Sequence, residues 1–436
     1  MENRLGDSLD APPFQRLSKN NSLLDTSLMR KLLAILVSTA LSVAASAANW
    51  PEFRGPTGDG QAPNAHLPVS IDQSVVKWKT RIHGKGWSSP VVWKDQIWLT
   101  TATEDGTKMS VICVDRKNGK IIHDRVLLEN QTPAFCHPMN SYATPTPVIE
   151  AGRVYVHFGS YLTACLDTET ADVIWKRDDL ECDHHRGPAS SPILHEGKLF
   201  IAYDGFDVQY VVALDKQSGQ TVWKTKREID YGTDDGDRMK AYCTAHVIEV
   251  NGQQQLVYPS AVATIAYDPS NGDSLWTVYH DGMNASARPL YGEGLVFLTN
   301  GMGAMVAVRP DGEGDVTGTH IQWEARKGVA KKSSQLMVDG LLYMNSDDGV
   351  VSARDPQSGD VLWQQRAGGS FAASPIHADG RIYMFSTEGD VLTIKPGEAY
   401  EELSKTKLGD GFMASPAVVD DQMILRRKTH LYLVSE

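Results

Sequence analysis

The sequence predicts an all-β chain closed into a β-propeller of eight four-stranded antiparallel blades. Three observations carry this reading. First, a turn motif, Ala213-Leu-Asp215…Ser218-Gly219…Trp223, returns as Ala266…Asp268…Gly272…Trp276 and Ala353…Asp355…Gly359…Trp363. Variants stand at Cys165…Asp167…Ala171…Trp175 and Cys113…Asp115…Gly119…His123. Second, eight short motifs precede apolar segments: Ser88-Ser89-Pro90, Pro145-Thr146-Pro147, Ser190-Ser191-Pro192, Cys243-Thr244-Ala245, Ala287-Arg288-Pro289, Ser333-Ser334-Gln335, Ala373-Ser374-Pro375 and Ala414-Ser415-Pro416. Third, segments of alternating Val, Ile, Tyr and Trp are separated by Gly, Asp and Asn turns, the signature of short strands. A motif period of about 40–50 residues points to a propeller or array.

The chain divides at three places. Residues 1–47 read as an N-terminal extension and signal peptide. Met29-Arg30-Lys31 precedes an apolar run over 32–43 and an Ala-x-Ala site, so cleavage is expected after Ala47, with Met29 the true start. The run is shorter than the roughly 20 residues a membrane span needs. No Cys follows the cleavage site, so no lipid anchor is expected. Residues 48–74 form a lead-in segment, and 75–436 form the propeller.

Within each repeat the opening motif starts the innermost strand. Proline is tolerated there because it withholds a donor only from an unpaired edge. A Gly- or Asp-marked turn leads to a second strand, such as Gly152-Arg153-Val154-Tyr155-Val156. The third strand carries the first half of the turn motif, and the fourth ends at its Trp. Asp accepts backbone N–H groups in the turn and Gly supplies positive φ. Trp78, Trp175, Trp223, Trp276, Trp323 and Trp363 are expected to dock one blade on the next through their large apolar area. His123 takes the Trp position in the first blade, and Glu401-Glu402-Leu403 does so in the seventh. The last repeat stops after a third strand at 431–434, while an orphan fourth strand lies at 75–79. The N-terminal strand therefore completes the last blade and closes the ring, which removes exposed edges. Cys113 and Cys165 fill the small-residue slot before the turn Asp and read as core packing.

The repeated Ala-x-Asp-x-x-Ser/Thr-Gly-x-x-x-Trp motif resembles the tryptophan-docking repeat of the PQQ-like (pyrrolo-quinoline quinone repeat) propellers. That family includes quinoprotein alcohol dehydrogenases and the outer-membrane assembly factor BamB. The resemblance covers residues 75 to 436. The segment Trp50-Pro51-Glu52-Phe53-Arg54-Gly55 also resembles the lead-in of exported members. For a dehydrogenase the resemblance implies PQQ held on a vicinal Cys-Cys disulfide, a stacking Trp, and calcium on Glu, Asn and Asp. This chain has no Cys-Cys pair and no CxxCH haem motif.

A repeat hides its function where it is interrupted. The connections between blades are short late in the chain, as at 366–371, but long and polar at 129–142, 178–187 and 226–243. Loops on a rigid scaffold carry function. Candidate ligand contacts at the channel mouth are His137, Asn140, Tyr142, His184, His185, Arg186, Arg238, Lys240, Tyr242 and Arg288. The arginines offer bidentate forks for an anion. Cys136, Cys182, His184 and His185 are candidate ligands for zinc or copper. Cys243 and His246 fall at a comparable place one blade on. The alternative readings are a Cys136–Cys182 disulfide, suited to an oxidising compartment, or free structural thiols. Asp234-Asp235-Gly236-Asp237 lacks the full EF-hand pattern and reads as a solvated loop rather than a calcium site.

A net charge of −12 argues against nucleic acid or an anionic membrane as partner. P-loop, Rossmann, Gly-x-Ser-x-Gly and His-Glu-x-x-His signatures are absent. The leading expectation is a periplasmic or secreted, monomeric scaffold module that binds a protein, peptide or glycan at its mouth. The alternatives are a divergent quinoprotein or metal-dependent oxidoreductase, and a BamB-like outer-membrane assembly partner.

Overall fold

The computed structural model describes residues 49–436; the predicted signal peptide, its Met29 start and its cleavage site lie outside the described residues. Blade 1 comprises Val91–Trp93, Gln96–Ala102, Lys108–Asp115 and Ile121–Glu129, each antiparallel to the next. Blades 2 to 7 repeat this order over 148–177, 193–226, 246–279, 290–325, 336–366 and 376–407. Blade 8 takes Ala417–Val419, Gln422–Arg426 and His430–Val434 from the C-terminus, and its fourth strand is Val76–Arg81, antiparallel to His430–Val434. The eight-bladed reading and its closure both hold. Two additions escaped the sequence: Gly314–Asp315 pairs parallel to the outer strand of blade 4, and Gln61–Ala62 pairs parallel to Ile376–Ala378 of blade 7.

The docking tryptophans work through one geometry. The indole Nε1 of Trp78, Trp175, Trp223, Trp323 and Trp363 donates to a turn carbonyl of the following blade, on Arg116, Lys216, Pro269, Pro356 and Gly397 respectively. Trp276 departs from this. It donates to Gln255 Oε1 at 2.8 Å, and Gln255 Nε2 passes the link on to Pro310 O at 3.0 Å. Blade 1 carries His123 paired with Cys113, as the sequence indicated.

In blade 7 the Trp position is not 401–403 but Ser404. In the other blades the Trp lies opposite the Ala or Cys before the turn, and here Ser404 lies opposite Thr393. The physical reason is that the following blade is the one closed from two termini, so it has no third-to-fourth-strand turn for an indole to reach. Ser70 and Ile71 of the lead-in occupy the place instead, bonded to Ser404 Oγ and Thr406 Oγ1 at 2.8 and 2.6 Å.

Around the axis, the middle residues of the opening motifs form a belt. The backbone N–H of Ser89 donates to Thr146 Oγ1, Thr146 to Ser191 Oγ and Ser191 to Thr244 Oγ1, at 2.9–3.1 Å. The belt resumes from Arg288 to Ser334, Ser374, Ser415 and back to Ser89, at 2.9–3.1 Å. Its one gap lies before Arg288, the only member of the eight positions without a hydroxyl.

The lead-in crosses the axis beneath this belt. Trp50 pairs with Val92 of blade 1 and Pro51 O accepts from Ile149 of blade 2. Within a few residues Phe53 O accepts from Arg288 of blade 5, and Arg54 donates to Gln335 O of blade 6. Those blades lie across the ring, so residues 51–54 close one end of the channel.

Candidate functional site

The other end is open and surrounded by the long connections. Their side chains hold one another. Arg186 Nε and Nη2 donate to the Asp237 carboxylate at 2.7 and 2.6 Å, joining the second loop to the third. Asn140 Nδ2 donates to the carbonyls of Arg186 and Pro188, joining the first to the second. A one-turn helix, Gly236–Met239, sits within the supposed solvated acidic stretch, with Asp235 capping it by accepting from Asp237 N.

These loops frame an axial cavity of about 330 Å³. Its floor carries Phe53 of the lead-in and the belt hydroxyls. Its walls are Trp87, Met139, Tyr242 and Met413, and its rim carries His137, Asn140, Arg186 and Lys332. Four of the ten mouth candidates, His137, Asn140, Arg186 and Tyr242, therefore line one space.

The other six lie elsewhere. Tyr142 is buried under the first loop, its hydroxyl donating to Ala134 O at 2.6 Å. His184 accepts from Ser160 N at 3.0 Å through Nε2, with Lys240 Nζ 2.9 Å from its Nδ1. Lys240 is 1% exposed, and burial lowers the pKa of both groups. His185 is exposed and stacks on Phe206 with ring centroids 4.4 Å apart. Arg238 pairs with Asp281. Arg288 is committed to Glu52 and to Phe53 O, and lines a separate cavity beside Asp59 and His246.

The sequence-predicted metal ligands do not converge. Among the described residues no group of three or more His, Cys, Asp or Glu side chains is arranged to hold a metal ion. Cys136 Sγ lies beside the Arg186 carbonyl at 3.8 Å, whereas Cys182 Sγ lies 3.5 Å from His184 Nε2. All five cysteines are free, so Cys136 and Cys182 are not joined. Burial pushes the Cys136 thiol up to about 11 and Cys182 up to about 12, so neither is a thiolate at neutral pH. Cys243 is wholly buried, and His246 Nδ1 donates to Pro289 O.

Sequence reasoning missed Phe53, Trp87, Met139, Met413 and the hydroxyl belt. The belt had a signal: a Ser or Thr recurs in the middle of seven of the eight opening motifs. The periodic hydroxyl is the part that faces the axis.

The calcium-bound quinone of the dehydrogenases does not fit this donor set. Among the described residues no Asp, Glu or Cys lines the axial cavity, so no carboxylate there can ligate a hard cation.

The model of the family described as outer membrane protein assembly factor BamB matches residues 76–262 and 207–435. No curated protein sequence matches the chain. Among solved structures, BamB from Moraxella catarrhalis superposes with a TM-score of 0.58 at 12% identity, covering 83% of this chain and 99% of that one. Quinohemoprotein alcohol dehydrogenase from Comamonas testosteroni gives 0.65 at 12% identity, covering 95% and 82%. A europium-containing methanol dehydrogenase gives 0.67 at 10% identity, covering 89% and 98%. At such identities the likeness is one of fold.

Proposed function

The chain belongs to the β-propeller family described as outer membrane protein assembly factor BamB, and from that premise we propose that it is an exported binding module whose loop-rich mouth takes a polypeptide segment of a partner. Export rests on the signal-peptide pattern ahead of Ala47. Among the described residues no helix is long and apolar enough to cross a membrane.

One observation carries the binding reading. Large apolar side chains stand exposed on the loops around the axial cavity: Phe135 at 57%, Met139 at 56% and Met302 at 51%. A soluble surface rarely gathers such groups around an apolar-walled cavity unless something covers them. Methionine and aromatic residues are the types enriched in interface cores.

A position-scanning pool of acetylated hexapeptides, passed over the immobilised protein, tests this. Met139→Glu should lower retention of the bound fraction at least tenfold, whereas Val222→Glu on an outer strand should leave it unchanged. Equal loss from both variants, or loss from Val222→Glu alone, would overturn the reading.

A further inference from the structure

We infer that the floor of the axial cavity is a carboxylate site, and that what it captures is the free C-terminus of a polypeptide. This rests on the mouth being a peptide site, and it names the feature recognised there.

Ser89, Thr146, Ser191, Thr244, Ser374 and Ser415 all line the cavity, and none is more than 4% exposed. Each hydroxyl oxygen accepts the backbone N–H of a neighbouring blade. A hydroxyl also has one proton to donate. Among the described residues, none of the six donates it to a protein acceptor. Six buried donors thus line one space in which, among the described residues, Asn284 Oδ1 is the one buried side-chain acceptor left unpaired, too few for six protons. Buried polar groups are ordinarily satisfied, so the cavity is built for an acceptor brought from outside.

The surrounding charge selects an anionic one. No carboxylate lines the cavity, although the chain as a whole carries −12. Behind the belt lie two buried guanidiniums. Arg426, 3% exposed, donates to Ser88 O and Ser88 Oγ and has no ion-paired carboxylate among the described residues. Arg54, 2% exposed, donates to two backbone carbonyls and leaves its Nη1 unpaired. Burial lowers both pKa values to about 9, which leaves both charged at neutral pH. Arg54 has the Asp59 carboxylate near it, but Arg426 has no opposite charge acting on it, and an uncompensated buried charge makes a positive potential in a low-dielectric cleft.

The shape selects a chain end. Residues 51–54 cross the axis and close the channel below the belt, so nothing threads through. A ligand enters from the loop face and stops at the hydroxyls. A terminus places a charged group at the bottom of such a well while its side chains meet Trp87, Met139 and Met413 above. Capture of a terminal carboxylate by converging donors is an established mode of peptide recognition.

The test compares two pools of acetylated hexapeptides, one ending in free carboxylates and one in C-terminal amides. Inorganic phosphate and hydrocinnamate serve as small-anion probes. We expect the free-acid pool to be retained at least tenfold better than the amide pool. Ala372→Asp, which places a carboxylate in the cavity wall, should abolish that preference, and Ala372→Asn should keep it. Should Ala372→Asp fail to fold, Ala189→Asp reads the same effect from another wall position. Equal retention of acid and amide pools would overturn the carboxylate site while leaving the mouth as a peptide site. Retention of neither pool would overturn both. Binding of phosphate or hydrocinnamate with no peptide retained would overturn the polypeptide source.

Discussion

At Gly219 two demands meet on one residue. Its φ of +72° lies in the left-handed region, and an added Cβ would stand 2.6 Å from the Trp175 ring of the preceding blade. Gly119, Gly272 and Gly359 meet Trp78, Trp223 and Trp323 in the same way. Ala171 holds the equivalent place in blade 2 at φ 59°, which is possible because the preceding blade offers His123 rather than an indole. Gly219→Ala should therefore destabilise by about 2 kcal/mol or more, from strained backbone plus overpacking. Ala171→Gly should change stability by less than about 1 kcal/mol. Urea titrations of the two variants check this, and equal effects would refute it. The buried histidines set a pH dependence. Burial lowers His157 to about 3 and His246 to about 4, both below the ordinary 6.5 of an unfolded chain. Above pH 6.5 both states are neutral and the stability is complete. As pH falls from 6.5 towards 4 the unfolded chain binds protons first, so stability falls by about 1.4 kcal/mol per pH unit for each proton of difference. The melting temperature should drop over that window, and His157→Gln should flatten the drop. A melting temperature constant from pH 7 to 4 would contradict the assignment.

At the scale of elements, blades are joined by indoles and also by a buried arginine that is ion-paired within its own blade. Asp204, in the second strand of blade 3, meets Arg227 at 2.8 Å, and both side chains are fully buried. Arg227 also donates to Tyr258 O and Pro259 O of blade 4. Removing one partner leaves a bare buried charge, so Asp204→Ala should cost about 3–5 kcal/mol, whereas Asp204→Leu with Arg227→Met should cost much less. A double-mutant cycle by denaturant unfolding measures the difference; additive costs would refute the coupling. Nothing in the sequence marked this pair. Asp204 and Arg227 sit outside the repeated motif and meet within blade 3, on either side of Gln209, which lies opposite Asp204 and accepts from Arg227 N. The elements that were legible, namely the strand order, the Trp docking and the closure, are those fixed by local turn chemistry and repetition. Gly314–Asp315 and the Gly236–Met239 turn lay in irregular stretches where no period guides the eye. The Trp position of blade 7 was misplaced because its fourth strand is Glu- and Lys-rich and offers no indole to set the register.

For the whole molecule, the lead-in explains why the channel is open at one end. It is a floor as well as a leader to the first blade, pinned by Arg288 to Glu52 and by Arg54 to Gln335 O. Sequence reading placed the candidate site in the interrupted repeats, and residues of the loops from 129 to 243 line the axial cavity. It could not see that Phe53, more than thirty residues before blade 1, lies beneath them, because that proximity comes from closure of the ring. Nor could it separate His137, Asn140, Arg186 and Tyr242, which face the cavity, from Tyr142 and Lys240, which are buried beside it, since loop residues lack a period that assigns them a side. The central claim is that a polypeptide C-terminus seats on the hydroxyl belt of the axial cavity. A crystal structure of the protein with a peptide selected from the free-acid pool tests it most directly. The terminal carboxylate should lie within hydrogen-bonding distance of the belt hydroxyls, with the last side chains of the peptide against Trp87 and Met139. A peptide lying along an outer strand, or in the mouth with its carboxylate in solvent, would contradict it.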